Sequence, residues 1–315
     1  MNRRVFVVGA ASLALAPRAL AESFGGKPVV LVTADLESRL VAVDLASGRV
    51  LRYVPVRPGP RSIETVGNTA VVGHFTTGVV SLVHAPTLEV THVLRIERPR
   101  YTAAHPAGRY AFVTDDASGD VVTIDVVRGR IVGRALAGPH ARHLTIDPSG
   151  RTLWISLGSE AREIAVVDVS HPARPRLVRR FRPPFLAHDV GWSPDGRHVW
   201  VSSGDRWELA VYDARTGRLV ARPSGDQPPQ HVTFAGGRAY VTSGWSGTLR
   251  VHHVDGRQIR TNVVPVGSYN VQQGARRVVT ASLGHGTLTI LDESGRTLQR
   301  KQVARSSHDA CVVTV

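Results

Sequence analysis

From Val29 to the end, the chain alternates short apolar runs with polar turn clusters, and no segment carries a helical period. The clearest unit is Val190-Gly191-Trp192-Ser193-Pro194-Asp195-Gly196-Arg197-His198-Val199-Trp200-Val201-Ser202-Ser203. Leu144 to Ser156 and Ala104 to Thr114 repeat its plan: an apolar strand, a Pro-x-Gly-Arg turn, and a second strand ending in Ser or Thr. Proline fixes φ in such a turn and glycine takes the positive φ that closes it, so each unit predicts a hairpin. Third strands follow and commonly end in aspartate, as in Leu40–Asp44, Val121–Asp125, Ile164–Asp168, Leu209–Asp213 and Leu288–Asp292. These aspartates are expected to bond turn backbone. Gly-Arg turns (Gly48-Arg49, Gly129-Arg130, Gly217-Arg218, Gly295-Arg296) then lead to a fourth strand. Four short strands per unit predict an all-β propeller.

One position at the head of each first strand fixes the count: Ser62, Tyr101, His143, His188, His231, Asn270 and His308, spaced by 39, 42, 45, 43, 39 and 38 residues. The N-terminal unit lacks a first strand, and residues 305–315 are a first strand with nothing after it. Joined, they complete a ring of seven blades and leave no free sheet edge. The predicted blades are 305–315 with 28–56, then 57–96, 97–137, 138–182, 183–224, 225–266 and 267–304, within one domain spanning 22–315.

The repeat resembles the YVTN-type, cytochrome-d1-like propeller family. The likeness rests on Ser193-Pro194-Asp195-Gly196-Arg197, on Ala239-Tyr240-Val241-Thr242-Ser243 and on Asp213-Ala214-Arg215-Thr216-Gly217-Arg218, and it covers essentially all of residues 22–315. It implies the fold and leaves the activity open, because that family is functionally mixed. The longer turn Val169 to Pro175 in the fourth blade departs from the pattern.

Residues 1–21 read as an export signal: Arg3 and Arg4, an apolar stretch from Val5 to Ala16, and the small-residue site Ala19-Leu20-Ala21. Asn2-Arg3-Arg4-Val5-Phe6-Val7 resembles a twin-arginine signal, so a periplasmic or extracellular location is expected. The formal charge is +14, yet of 39 basic residues only Lys27 and Lys301 are lysines, and the arginines are spread over turns and outer strands. A spread of this kind predicts no specific nucleic-acid partner. No apolar run is long enough to suggest a membrane span, and a monomer is expected. The single cysteine, Cys311, lies in an apolar run and predicts a buried thiol with no disulfide.

No nucleophile elbow, phosphate loop, His-Glu-x-x-His or paired-cysteine motif occurs. Candidate chemistry comes instead from the propeller's geometry. First-strand heads and the loops between second and third strands share one end of the ring, the usual place for a propeller's ligand. There the candidate ligand-binding residues are Arg61, Tyr101, Arg142, Asn270, Trp207, Trp245 and His285, with Arg100 on the same rim. His143, His188, His231 and His308 are expected to converge at the channel mouth, where neutral imidazoles suit zinc or copper. This ring resembles in principle that of the nitrous oxide reductases, but their larger histidine set and second copper domain are missing. Asp189 and Asp309 each follow a ring histidine, and strand alternation predicts that both turn away from it.

The leading reading is an exported, non-enzymatic propeller that presents this face to an extracytoplasmic protein or small ligand. The alternatives are a copper- or zinc-binding propeller, including an oxidoreductase, and a propeller-type hydrolase or lactonase.

Overall fold

A computed structural model of the protein describes residues 26–315; the expected export signal lies outside the described residues. Seven antiparallel sheets of four strands each make up the fold. The first sheet joins β1 (Pro28–Ala34), β2 (Arg39–Asp44) and β3 (Val50–Pro55) to β28 (Ala310–Thr314), in the order β28-β1-β2-β3. Val30 faces Val312 and Leu31 faces Cys311 across that joint. The C-terminal strand therefore completes the N-terminal blade, as the repeat count required. Its backbone groups, which would otherwise lie orphaned in the core, are paired there.

The inner strands of the other blades are β4 (Pro60–Val66), β8 (Pro99–Ala104), β12 (Leu144–Ile146), β16 (Ala187–Trp192), β20 (Val232–Ala235) and β24 (Gln272–Gly274). Each touches the next around the axis, and β28 touches both β24 and β4, which closes the ring. No helix among the described residues is long and apolar enough to cross a membrane.

The apolar runs read as strands because each sheet is sandwiched between two others. Second and third strands such as Ala70–Val72 and Leu40–Val43 are buried on both faces, whereas outer strands such as Glu89–Arg95 are exposed. The core consists of layers between neighbouring blades: Val29, Leu31, Leu40 and Ala42 of the first pack on Ile63, Ala70, Val72 and Val83 of the second. The Pro-x-Gly-Arg glycines Gly108, Gly150 and Gly196 take φ of 68°, 74° and 71°, as the hairpin requires. The turn aspartates also act as expected, since Asp44, Asp168, Asp213 and Asp292 each accept the backbone N–H of a nearby Ser or Thr.

One repeated device is not visible in the sequence. In all seven blades the third strand loses register with the fourth one residue before its end, at Ala42/Val43, Leu82/Val83, Thr123/Ile124, Val166/Val167, Val211/Tyr212, Val251/His252 and Ile290/Leu291. A bulge at that point increases the local twist and sweeps the outer strand round the rim.

Candidate functional site

Four blades, the third to the sixth, help to place the head of the next blade's inner strand. The Ser or Thr near the end of a second strand donates its hydroxyl to a backbone carbonyl at the head of the following inner strand. Ser156 Oγ bonds the His188 carbonyl at 2.8 Å and Ser202 Oγ the Gln230 carbonyl at 2.5 Å; Thr114 and Thr242 bond Arg142 and Tyr269 likewise. The recurring hydroxyl is thus a bond between blades that holds the heads against the axis.

Those heads bring His143, His188 and His231 together. One nitrogen of each lies within 4.8 Å of the others, and all three side chains are buried. The ring centroids of His143 and His188 are 4.6 Å apart, as are those of His143 and His231. Tyr101 stacks on His143 at 4.1 Å and lies 5.3 Å from His231.

Two of the three imidazoles are oriented from behind. His188 Nδ1 lies 2.9 Å from the Ser159 carbonyl oxygen, so Nδ1 carries the proton and Nε2 keeps its lone pair. His231 Nδ1 faces Asp189 Oδ2 at 3.3 Å. Both arrangements are the outer-shell contacts that fix the tautomer of a metal-ligating histidine. Neither ring nitrogen of His143 has a hydrogen-bond partner among the described residues, although both are buried. Burial pushes the His143 imidazole well below its usual range, reinforced by the neighbouring His188 and His231, and takes His188 down to about 3. Both rings are therefore neutral at physiological pH, the form that ligates.

His308 stands outside this group. Its Nδ1 donates to the Arg61 carbonyl at 2.9 Å, while Asn270 Nδ2 donates to the His308 carbonyl at 3.2 Å. The expected convergence of four histidines is a convergence of three. The expectation for Asp189 is also corrected. The pairing of β16 shifts register between Ala187 and Val190, so His188 and Asp189 occupy a bulge where simple alternation fails. Asp189 consequently reaches across to the sixth blade, accepting the Val232 N–H at 3.0 Å beside His231. Asp309 makes the equivalent bond to the Ile63 N–H at 3.1 Å, and burial raises its carboxyl well above the usual range.

Below the histidines lies a chamber of about 320 Å³, lined by Tyr101, His143, Asp189 and His231 and, along its wall, by Glu64 and Gln272. Burial raises the Glu64 carboxyl to about 7. Above them, Arg61, Arg100, Tyr101 and His308 surround a narrow cleft, and the Arg142 guanidinium lies 5.9 Å from the Tyr101 ring. Trp207, Trp245 and His285 remain exposed on loops. The Tyr269 ring stands between Trp245 and the axis, 6.3 Å from Trp245 and 6.3 Å from His308.

Sequence reasoning missed Ser159, Glu64 and Tyr269. Ser159 belongs to the loop between Ser156 and Ile164, which bridges to the fifth blade through Ala161 and Ala187. That loop's extra length was the available signal.

These features define a seven-bladed β-propeller with a histidine cluster at one end of its axial channel. No family model matches the chain, and no curated protein matches it. Solved structures share the fold. Kuenenia stuttgartiensis hydrazine synthase superposes with a TM-score of 0.67 at 18% identity, covering 81% of this chain and 89% of that one. The dihydro-heme d1 dehydrogenase NirN in complex with DHE gives 0.63 at 18% identity, covering 92% of this chain and 66% of that one. At this identity the likeness carries the fold alone.

Proposed function

We propose that the protein is a metal-binding propeller in which His143, His188 and His231 hold one transition-metal ion, zinc or copper. The observation that carries this is the buried set of three imidazoles with nitrogens within 4.8 Å, one of them with no hydrogen-bond partner for either nitrogen among the described residues. An unsatisfied buried polar atom costs about 1–3 kcal/mol, so a ring with two of them is poorly explained by packing. Three imidazoles make the usual protein ligand set of a zinc site with an open fourth position. When bound, such an ion supplies Lewis-acid or, for copper, redox chemistry.

The chain's own contribution is to orient His188 through Ser159 and His231 through Asp189, and to open His143 and His231 onto a chamber sized for a small molecule. One structural neighbour is described as a dehydrogenase with a ligand bound, which agrees with a ligand-holding role for this fold. The three arginines on the rim favour a second reading, a binding module for an anionic ligand. The two readings use different residues and are compatible.

We also infer membership of the YVTN-type repeat family and export through the signal at residues 1–21. A mature N-terminus at Glu22 in the exported fraction tests the latter.

The decisive experiment for the metal is elemental analysis after mild purification, followed by titration with zinc and copper(II). Tight one-to-one binding is expected, weakened at least about 100-fold in His188→Ala and His231→Ala. Millimolar affinity that neither substitution changes would refute the reading.

A further inference from the structure

The residue just before each ring position differs between the two sides of the channel. It is arginine in three consecutive blades, at Arg61, Arg100 and Arg142, and uncharged in the other four, at Ala187, Gln230, Tyr269 and Ser307. We propose that these arginines form a receptor for a small oxyanion, a phosphate or carboxylate group, at the mouth above the histidines. This site uses none of the metal-binding residues.

Two of the guanidinium groups are held in place. The Arg100 guanidinium lies 4.4 Å from the Phe75 ring centroid, and that of Arg142 lies 5.9 Å from the Tyr101 centroid. The Arg100 contact is a close cation–π one and the Arg142 contact a looser one, and both restrain the guanidinium forks that suit a carboxylate or phosphate. The Nε of Arg100 and the Nε of Arg142 are both buried and without a hydrogen-bond partner among the described residues. Neither side chain has a carboxylate within 4.0 Å among them.

The neighbouring acids offset this charge only in part. Asp35, 3.6 Å from Arg61, has its carboxyl raised by burial to about 6 and is still ionised at pH 7.5, so it compensates Arg61 and leaves Arg100 and Arg142. Asp116 is already engaged at 3.3 Å by Arg98 and at 3.3 Å by His140. The other groups facing the cleft, Tyr101 and His308, are neutral: burial raises the phenol and lowers the imidazole. The Arg100 and Arg142 side of the mouth is therefore a partly desolvated positive site with no paired carboxylate within 4.0 Å among the described residues, and burial lowers the pKa of Arg100. A buried charge without a partner is costly, and a bound anion removes that cost. Paired Arg–oxyanion hydrogen bonds are among the stronger and more geometrically specific ones.

Calorimetric titration of chelator-treated full-length protein with inorganic phosphate and with succinate, at low ionic strength and pH 7.5, tests this. Removing metal first keeps the result separate from the fate of the histidine reading. Saturable one-to-one binding of at least one probe is expected, with Kd below about 1 mM at low salt. Arg100→Gln and Arg142→Gln should each weaken it at least tenfold. Arg100→Lys, which keeps the charge and loses the fork, should give a smaller loss. Arg276→Gln, on an exposed turn, should leave it unchanged. The tighter of the two probes identifies the ligand group as phosphate-like or carboxylate-like. Failure of wild type to saturate with either probe, or unchanged affinity in a folded Arg100→Gln or Arg142→Gln protein, would overturn the proposal.

Discussion

His143 and His308 occupy the same position in the repeat, each at the head of an inner strand and each buried. They differ in what surrounds them. The His308 ring donates through Nδ1 to the Arg61 carbonyl, its backbone N–H donates to Asp35 and its carbonyl accepts from Asn270, and it lies outside the cluster of the other three. Neither nitrogen of the His143 ring has a partner in hydrogen-bond geometry among the described residues. One half of the channel mouth is thus a bonded seam between the last, first and second blades, while the other half brings three imidazoles together. An equivalent position in a repeat does not assign a role. The partners available to the side chain do.

The largest expected effect lies at the seam. Deleting residues 305–315 removes β28 with Cys311, Val313 and Val315 from the core between the first and second blades, and leaves the inner edge of β1 unpaired. That loss is comparable with the whole stability of a domain, about 5–15 kcal/mol. The truncated chain should aggregate, with no cooperative transition by circular dichroism or calorimetry. A soluble, cooperatively melting truncation would break the seven-blade closure.

The two histidines themselves supply the sharper contrast. His143→Ala should weaken zinc or copper binding at least about 100-fold and cost little stability, since it removes two unsatisfied buried nitrogens. His308→Ala should do the opposite, costing about 1–3 kcal/mol in denaturant melts while changing metal affinity less than about threefold. Asp189→Asn, which alters only the support of His231, should fall between them in metal affinity, at about 10- to 100-fold weaker. Equal metal losses in His143→Ala and His308→Ala would restore the four-histidine ring.

The smallest effect is in pH dependence. Glu64 holds its proton to about pH 7 in the folded chain, against an ordinary value of 4.5. Between those values the native state binds more protons than the unfolded one, so stability falls as pH rises. Asp168, on the opposite end of a blade, is depressed to about 2 from 3.8 by its bonds to Ser170 and Arg176, and its contribution is lost only as pH falls through that range. Glu64→Gln should therefore gain about 1–2 kcal/mol over wild type at pH 8 and nearly nothing at pH 4, read from urea midpoints. A gain that is the same at both pH values would show that Glu64 is ionised in the folded chamber.

The blade count, the closure, the hairpin glycines and the turn aspartates were all legible in the sequence, because each follows from local patterns that recur along the chain: the first-strand head in seven units, the third-strand aspartate in five and the Pro-x-Gly-Arg turn in three. Periodicity of 2 within strands and of about forty residues between them leaves few alternatives to a propeller. The ring positions followed from the same register. What each ring residue meets was not legible. The bulge that turns Asp189 toward His231, the loop that carries the Ser159 carbonyl to His188, and the Arg61 carbonyl that claims His308 all depend on contacts between blades.

Sequence alone therefore determined the architecture and the candidate set, since backbone pairing and apolar burial follow from short-range patterns. Only the tertiary structure decided which imidazoles converge and which rim arginines have no carboxylate within 4.0 Å among the described residues. Those properties depend on hydrogen bonds and desolvation between residues far apart in the chain, to which no local pattern is sensitive.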